Sequence, residues 1–413
     1  MTEKRKFPWA STFLLAFGFF GISLVWPIFN NYVPLILAER GVAPALIGFI
    51  LTWDNYFNIF VQPVAGALSD RTRTRWGRRI PWLMVGAPLA AAAYVAIPWA
   101  PTVGLMMLVI GLANFALALF RAPTIALLGD LFRPEERSQA NGVINFMGGV
   151  GAILAFLVGG WLYETVNASY GQRLAEAAPF AFGAFMLLLA VAVVVIWIRE
   201  PEAPAAAGEE RASLTDIWQA LRKGQDGWKP GFWKLMAALV AWFWAYSILE
   251  AWLSSFGKFT LGLSPGKIAM YTAVLPLAFV ATAIPAGIIG GRLGRRRTIL
   301  LGLLLLIPLL FLGMGVGNAV QLMGLLALLG FAWALVNVNS LPLVYDFGPP
   351  ERIGLLTGLY YIASNLALVL GPAFMGLLLE RMLVGRYEAI FPVAGVGMLA
   401  AALFILALPE PTS

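Results

Sequence analysis

Three ionisable side chains lie in the middle of long apolar stretches of this 413-residue chain: Asp54, Arg121 and Glu250. A charge at membrane depth is costly, so such residues face a polar interior, pair with one another and mark the path of an ion or solute. At 1.5 Å per helical residue, each falls about 10–13 Å from the nearer end of its stretch, Asp54 and Glu250 from one side and Arg121 from the other, so all three are near mid-depth. A carboxylate near an arginine can exchange a bound proton for an ion pair, and the arginine can donate paired hydrogen bonds to hydroxyls. A purely structural ion pair is the alternative use of each charge. The chain has no histidine and no cysteine. Proton handling therefore falls to carboxylates, with Asp54 and Glu250 as coupling acids, and thiol chemistry, disulfides and Cys or His metal centres are excluded. No cofactor and no metal are expected, the proton being the coupling ion.

Neutral hydrogen-bonding groups and aromatics surround these charges in sequence: Asn30, Asn31, Asn58, Gln62, Asn145, Trp242, Trp244, Tyr246, Asn337, Asn339, Tyr360, Tyr361 and Asn365. Amides offer a donor and an acceptor to each hydroxyl, and a flat ring suits the apolar face of a pyranose. The candidate substrate-binding set is Arg121, Asn31, Asn58, Gln62, Asn145, Trp244, Tyr246, Asn337, Tyr361 and Asn365. It suits a polyol better than a lipophilic drug. Trp and Tyr also mark membrane interfaces and helix packing, which is their alternative use here.

These residues need elements to hold them. The chain is 60% hydrophobic and 12% charged with mean hydropathy +0.82, where a soluble domain carries about 45–50% apolar and 25% charged residues. The apolar runs are long and do not alternate, so they predict membrane helices rather than a β-barrel. Twelve spans are expected: 11–37, 45–69, 80–99, 102–128, 139–163, 178–198, 231–257, 267–290, 298–316, 319–345, 353–379 and 388–408. The first is too long for a signal peptide and reads as a retained helix. With both termini inside, 21 of the 28 Lys and Arg fall on inner segments, which favours that orientation and a multi-pass protein of the cytoplasmic membrane. The same bias accounts for the net charge of +7 without a nucleic-acid partner.

Residues 199–230 interrupt the rhythm with Pro, Ala and charge, then Ser213, Asp216 and a face of Leu214, Ile217, Trp218 and Leu221 predict a short helix on the inner membrane surface. This linker divides the chain into an N-terminal half, 1–198, and a C-terminal half, 231–413. The halves repeat. Gly66-x-x-x-Asp70-Arg71 followed by Gly77-Arg78-Arg79 is echoed by Gly287-x-x-x-Gly291-Arg292-Leu293-Gly294-Arg295-Arg296. Asp130, Pro134, Glu135 and Gly142 recur at Asp346, Pro350, Glu351 and Gly358 with a constant offset of 216. Glycines at 66 and 287 are expected to allow close helix approach, while the charges form a conformational latch: Asp70, Arg71, Arg75, Gly77, Arg78, Arg79, Asp130 and Arg137 in the first half, Arg292, Arg295 and Asp346 in the second. The alternative is that the arginines only set topology, which leaves the repeated spacing unexplained. Two parallel six-helix halves are the architecture expected of an all-α membrane protein with the major facilitator fold.

The segment Gln62-Pro63-Val64-x-Gly66-x-x-Ser69-Asp70, then Arg75-Trp76-Gly77-Arg78-Arg79-x-Pro81, resembles the helix 2–3 signature of sucrose-type carriers. These are related to the glycoside, pentoside and hexuronide cation symporters of the major facilitator superfamily. The loop is longer than the common superfamily form, and Ala126 to Leu131 with Ala140-Asn141-Gly142 is similar to the helix 4–5 region of the same carriers. The resemblance implies proton-coupled uptake of a disaccharide or related glycoside, such as sucrose or maltose, by a monomer in the lipid bilayer. Plant sucrose carriers have an arginine where this chain has Ile125, and Arg121 lies one turn earlier on the same face. Many animal members carry a carboxylate in the first helix, where this chain has Asn30 and Asn31. The helix 2 acids of melibiose-type sodium symporters fall at Asn58 and Gln62, and losing both argues against a sodium site of that kind. A proton-coupled exporter or organic-anion carrier of the same fold is the competing reading, with Arg121 as counter-charge and Glu250 against a strictly anionic cargo. No P-loop and no soluble catalytic domain is present, so an enzyme or ATP-driven pump is not expected.

Overall fold

A computed structural model describes residues 7–200, 229–348 and 353–409. The expected linker helix, with Ser213 and Asp216, and the repeat positions Pro350 and Glu351 lie outside the described residues. The helices run in order α1 (Trp9–Glu39), α2 (Pro44–Ile50), α3 (Trp53–Arg71), α4 (Ile80–Ala96), α5 (Val103–Leu131), α6 (Pro134–Tyr170), α7 (Gln172–Trp197), α8 (Phe232–Phe259), α9 (Pro265–Thr272), α10 (Val274–Leu293), α11 (Arg295–Gly313), α12 (Ala319–Asp346), α13 (Ile353–Arg381) and α14 (Ile390–Leu406). Every expected apolar run coincides with a helix. Two of the twelve are interrupted: the second breaks at Leu51 and Thr52 into α2 and α3, the eighth at Ala273 into α9 and α10. Among the described residues ten helices are long and apolar enough to cross a membrane. The two expected spans outside that number are α4, which has 17 residues, and the broken α2–α3 pair, whose second part carries Asp54, Asn58, Gln62 and Asp70.

The chain forms two compact units. The first comprises Met1–Val42, Trp53–Glu209 and Ser264–Ala273, and the second Ala43–Thr52, Glu210–Leu263 and Val274–Ser413. Each unit thus takes one short helix from the other half of the sequence, α9 in the first and α2 in the second. In the first unit α1 packs on α6 and α7, α5 lies between α3 and α4, and α9 packs on α6. In the second α12 packs on α10 and α11, α8 on α13 and α14, and α2 on α13.

Local signals place the helix starts. Thr102 accepts from the backbone N–H of Leu105 over 3.3 Å to cap α5, and Asn318 accepts from Gln321 over 3.0 Å to cap α12, again 216 positions on. Prolines lie inside most of the long helices, Pro123 in α5 and Pro342 in α12 among them; neighbouring helices and nearby side chains re-satisfy the carbonyls they free, which is how membrane helices tolerate them. Gly77 (φ +102°) and Gly294 (φ +88°) occupy matching places just before α4 and α11. Both hold a left-handed backbone conformation that a side chain would strain, which explains a glycine at each copy.

Candidate functional site

The break at Leu51 and Thr52 starts α3 at Trp53 and puts Asp54 in its first turn, where a carboxylate faces unpaired backbone N–H groups. Asp54 also accepts from Asn55 Nδ2 over 3.0 Å. Arg121, on α5, is the cation whose field reaches it. Asn58 and Gln62 follow at one-turn intervals along the same face of α3, and Gln62 Nε2 donates to Asn58 Oδ1 over 2.6 Å. The first unit therefore brings together Asp54, Asn58, Gln62 and Arg121 on the packed pair α3 and α5. Asn145 stands exposed on α6. Asn31 is buried and its amide donates to the Pro265 carbonyl over 3.3 Å, so in this structure it ties α1 to α9.

In the second unit Tyr246 and Glu250 sit one turn apart on α8, the carboxylate exposed and electrostatically coupled to the phenol. Tyr246 stacks flat on Trp333, with centroids 4.6 Å apart and planes 7° apart. Phe243 meets Trp333 and Tyr360 edge-on, each at 5.8 Å, and Tyr360 shares a 3.0 Å hydrogen bond with Ser340. Asn337 lies one turn beyond Trp333 on α12, and Tyr361 and Asn365 one turn apart on α13. Trp244 points elsewhere, against Phe374 at 5.2 Å and the backbone at Gly397. Trp242 is fully buried. Asn339 donates to the carbonyls of Ala286 and Leu335 and fills the space in front of Gly290, so it serves the packing of α12 on α10. Trp333 is an aromatic absent from the set drawn from sequence. Its signal is a tryptophan at mid-span rather than at an interface.

The charged loop of the first unit folds into a closed network. Arg79 is entirely withdrawn from solvent; it donates Nε to Asp130 over 3.0 Å and further hydrogen bonds to Asp70 and Ser69. Arg78 reaches the other oxygen of Asp130 over 2.6 Å. Glu200, expected in the linker, accepts from the backbone N–H groups of Arg78 (2.8 Å), Arg79 (2.7 Å) and Ile80 (2.7 Å), capping the start of α4. A Cβ on Gly77 would come within 2.5 Å of the Glu200 carboxyl carbon, a second reason for glycine there. Arg137 donates to the carbonyls of Phe132 and Gly129, and Arg75 lies over Trp76 at 4.3 Å while Arg71 is exposed. A cavity of about 1020 Å³ adjoins the loop, lined in part by Arg73, Arg75, Trp76 and Arg199.

The second copy is built on the same pair with one change. Arg295 bonds to Asp346 and to the Pro342 carbonyl (3.0 Å), as Arg78 bonds to Asp130. Where the first copy has Asp70 the second has Gly291, and Arg296 turns to the last carbonyls of α14, at Ile405 (3.2 Å) and Leu406 (3.1 Å). Arg292 is exposed. The close approach expected at Gly66 and Gly287 is not made within the units. A Cβ at Gly66 would meet nothing within 4 Å and one at Gly287 only Val338 at 3.7 Å, because α3 turns Ala65 and Ser69 inward instead and α10 packs through Gly290.

The sequence profile of the Major Facilitator Superfamily matches residues 12–284 and 260–413. The "General alpha-glucoside permease" of Schizosaccharomyces pombe is 26% identical over 223 residues, 49% of this chain and 39% of that protein. The "Sucrose transport protein SUC3" of Arabidopsis thaliana is 26% identical over 161 residues (34% and 27%), and the "Proton-associated sugar transporter A" of Rattus norvegicus 25% over 211 (47% and 28%). The matched region spans well under half the length of each of these relatives, and their names agree with the resemblance carried by Gln62 to Pro81. Among solved structures, that of a mutant of the nucleoside transporter NupG superposes with a TM-score of 0.75 at 15% identity, covering 96% of this chain and 99% of that one, a likeness of fold. With a profile covering nearly its whole length, the chain belongs to the Major Facilitator Superfamily, whose members are membrane transporters and not enzymes.

Proposed function

We propose that this protein is a proton-coupled sugar symporter that takes a disaccharide or related glycoside across the cytoplasmic membrane by alternating access, as a monomer with both termini inside. The observation that carries the reading is Asp54 on α3 standing in the field of Arg121 on α5, with Asn58 and Gln62 on the same helix face. Such a pair has two states. Ionised, the carboxylate and guanidinium hold each other; with Asp54 protonated, Arg121 is released to donate its fork of N–H groups to sugar hydroxyls. Proton and sugar then bind together, which is the requirement of symport. Glu250 supplies the second acid, and the ring of Tyr246 beside it, backed by the buried Trp333, supplies an aromatic face for the ring of the sugar. The names of the glucoside, sucrose and proton-associated relatives support this cargo and this coupling.

The test is uptake into proteoliposomes of labelled sucrose, maltose and hexoses, with and without an imposed pH gradient. Gradient-driven accumulation of a glycoside by the native protein, lost in Asp54→Asn or Glu250→Gln, is the expected result. Full proton drive in both variants overturns the coupling assignment, and the absence of any sugar-dependent flux overturns the cargo.

A further inference from the structure

Two glutamates that the transport reading does not use occupy matching places. Gly160 and Glu164 on α6 recur as Gly376 and Glu380 on α13, again 216 positions apart. Both lie at the end of their helices away from the arginine loops. What they touch is also repeated: Gly41, Pro44 and Ile47, around the start of α2, recur as Gly262, Pro265 and Ile268 around the start of α9, 221 positions on.

The contacts are of one kind. The Glu164 carboxylate accepts from Ser264 Oγ and from the Lys267 backbone N–H over 3.2 Å, in the first turn of α9. The Glu380 carboxylate accepts from the Ala45 backbone N–H over 3.1 Å, in the first turn of α2. The glycine one turn before each glutamate lets the backbones meet. A Cβ at Gly160 would stand 2.5 Å from the Gly266 carbonyl oxygen, and one at Gly376 2.4 Å from that of Pro44. Each glutamate thus comes from one half of the sequence and holds a short helix of the other. Each held helix ends at a break, Ala273 or Leu51–Thr52, beyond which the chain passes into the other compact unit. A carboxylate on otherwise unpaired N–H groups is strong enough to hold such a helix, yet hydrated readily enough to let go.

We propose that Glu164 and Glu380 are positioning residues of the transport cycle: with Gly160 and Gly376 they form two equivalent clamps that hold α9 and α2 in one state of the cycle and release them in another. This rests on the alternating-access reading above and adds the residues that hold one of its states.

The native chain has no cysteine, so one introduced thiol reports alone. Ala269→Cys reports from the buried side of α9, Ile47→Cys from α2, and Asn141→Cys from the exposed polar face at the far end of α6. Labelling with a membrane-impermeant maleimide is followed in the otherwise native background and in Glu164→Gln and Glu380→Gln, where shape is kept and charge is lost. Loss of a charge-assisted clamp is expected to speed labelling at Ala269→Cys or Ile47→Cys about tenfold while slowing it at Asn141→Cys. A merely loosened fold would speed all three. Unchanged rates at the clamp reporters, or a rise at every reporter, overturns the proposal, and should one glutamate variant not fold, the other clamp carries the test. No sugar is needed. Reciprocal labelling in a protein that moves no sugar leaves the clamps standing and removes the cargo, whereas glycoside uptake with unmoved labelling removes the clamps alone.

Discussion

Arg79 and Asp130 form an ion pair in which neither side chain is more than 4% exposed, with Nε to Oδ2 at 3.0 Å. Two charges so far from water are held only because Ser69, Asp70 and Arg78 complete the hydrogen bonding around them. Removing one partner leaves the other uncompensated. Asp130→Asn is therefore expected to destabilise the first unit by about 3 kcal/mol, and Asp70→Asn, whose carboxylate is 41% exposed, by under about 1 kcal/mol. Apparent thermal midpoints in detergent should rank native above Asp70→Asn above Asp130→Asn.

Glu200 holds three consecutive backbone N–H groups at the start of α4. Glu200→Ala releases all three and the negative charge that favours a helix start. Hydrogen exchange at Arg78, Arg79 and Ile80 is expected to quicken at least tenfold, the equivalent of about 1.4 kcal/mol, with the amides of α5 unchanged. Equal quickening throughout the unit would assign Glu200 a general rather than a local role.

Gly290 and Gly66 make opposite predictions from the same substitution. A methyl at position 290 collides with the Asn339 amide, which is itself fixed by two carbonyls, so Gly290→Ala is expected to cost about 2 kcal/mol or more. At position 66 there is open space within the unit, and exchanging a mid-helix glycine for alanine is expected to leave stability the same or raise it by up to about 1 kcal/mol. A transport defect in Gly66→Ala without loss of thermal stability would show that the glycine serves a state of the cycle in which α3 is more closely packed.

Trp333 and Trp244 separate an aromatic platform from helix packing. Trp333 is only 6% exposed and backs the Tyr246 ring, the aromatic face proposed for the sugar, so Trp333→Ala, which removes that support, is expected to raise the KM of glycoside uptake about tenfold with Trp333→Phe intermediate. Trp244→Phe, against Phe374 and Gly397, is expected to lower thermal stability with KM unchanged. A KM effect at Trp244 equal to that at Trp333 would dissolve the distinction.

Composition and periodicity alone determined that this chain is an all-helical membrane protein, where its helices lie along the sequence, most ends to within a few residues but those of α6 and the start of α7 missed by five to seven, and that its halves repeat. The reason is the solvent: in hydrocarbon every backbone group must be paired within its own helix, so hydropathy reads out directly as structure. Asp54, Arg121 and Glu250 were legible for the same reason, a charge at mid-span being too costly to occur without use. Only the tertiary structure decided what each polar group meets. Asn31 and Asn339, chemically alike to Asn58, are engaged by the carbonyls of Pro265 and of Ala286 and Leu335; Glu200 left the linker to cap α4; and two apolar runs that read as continuous broke at Leu51–Thr52 and at Ala273, the latter just ahead of Pro276. Such choices are set by contacts between residues up to 335 positions apart, as between Ala45 and Glu380. A pattern of period 3.6 can assign a residue to a helix face but cannot name the element that packs against it.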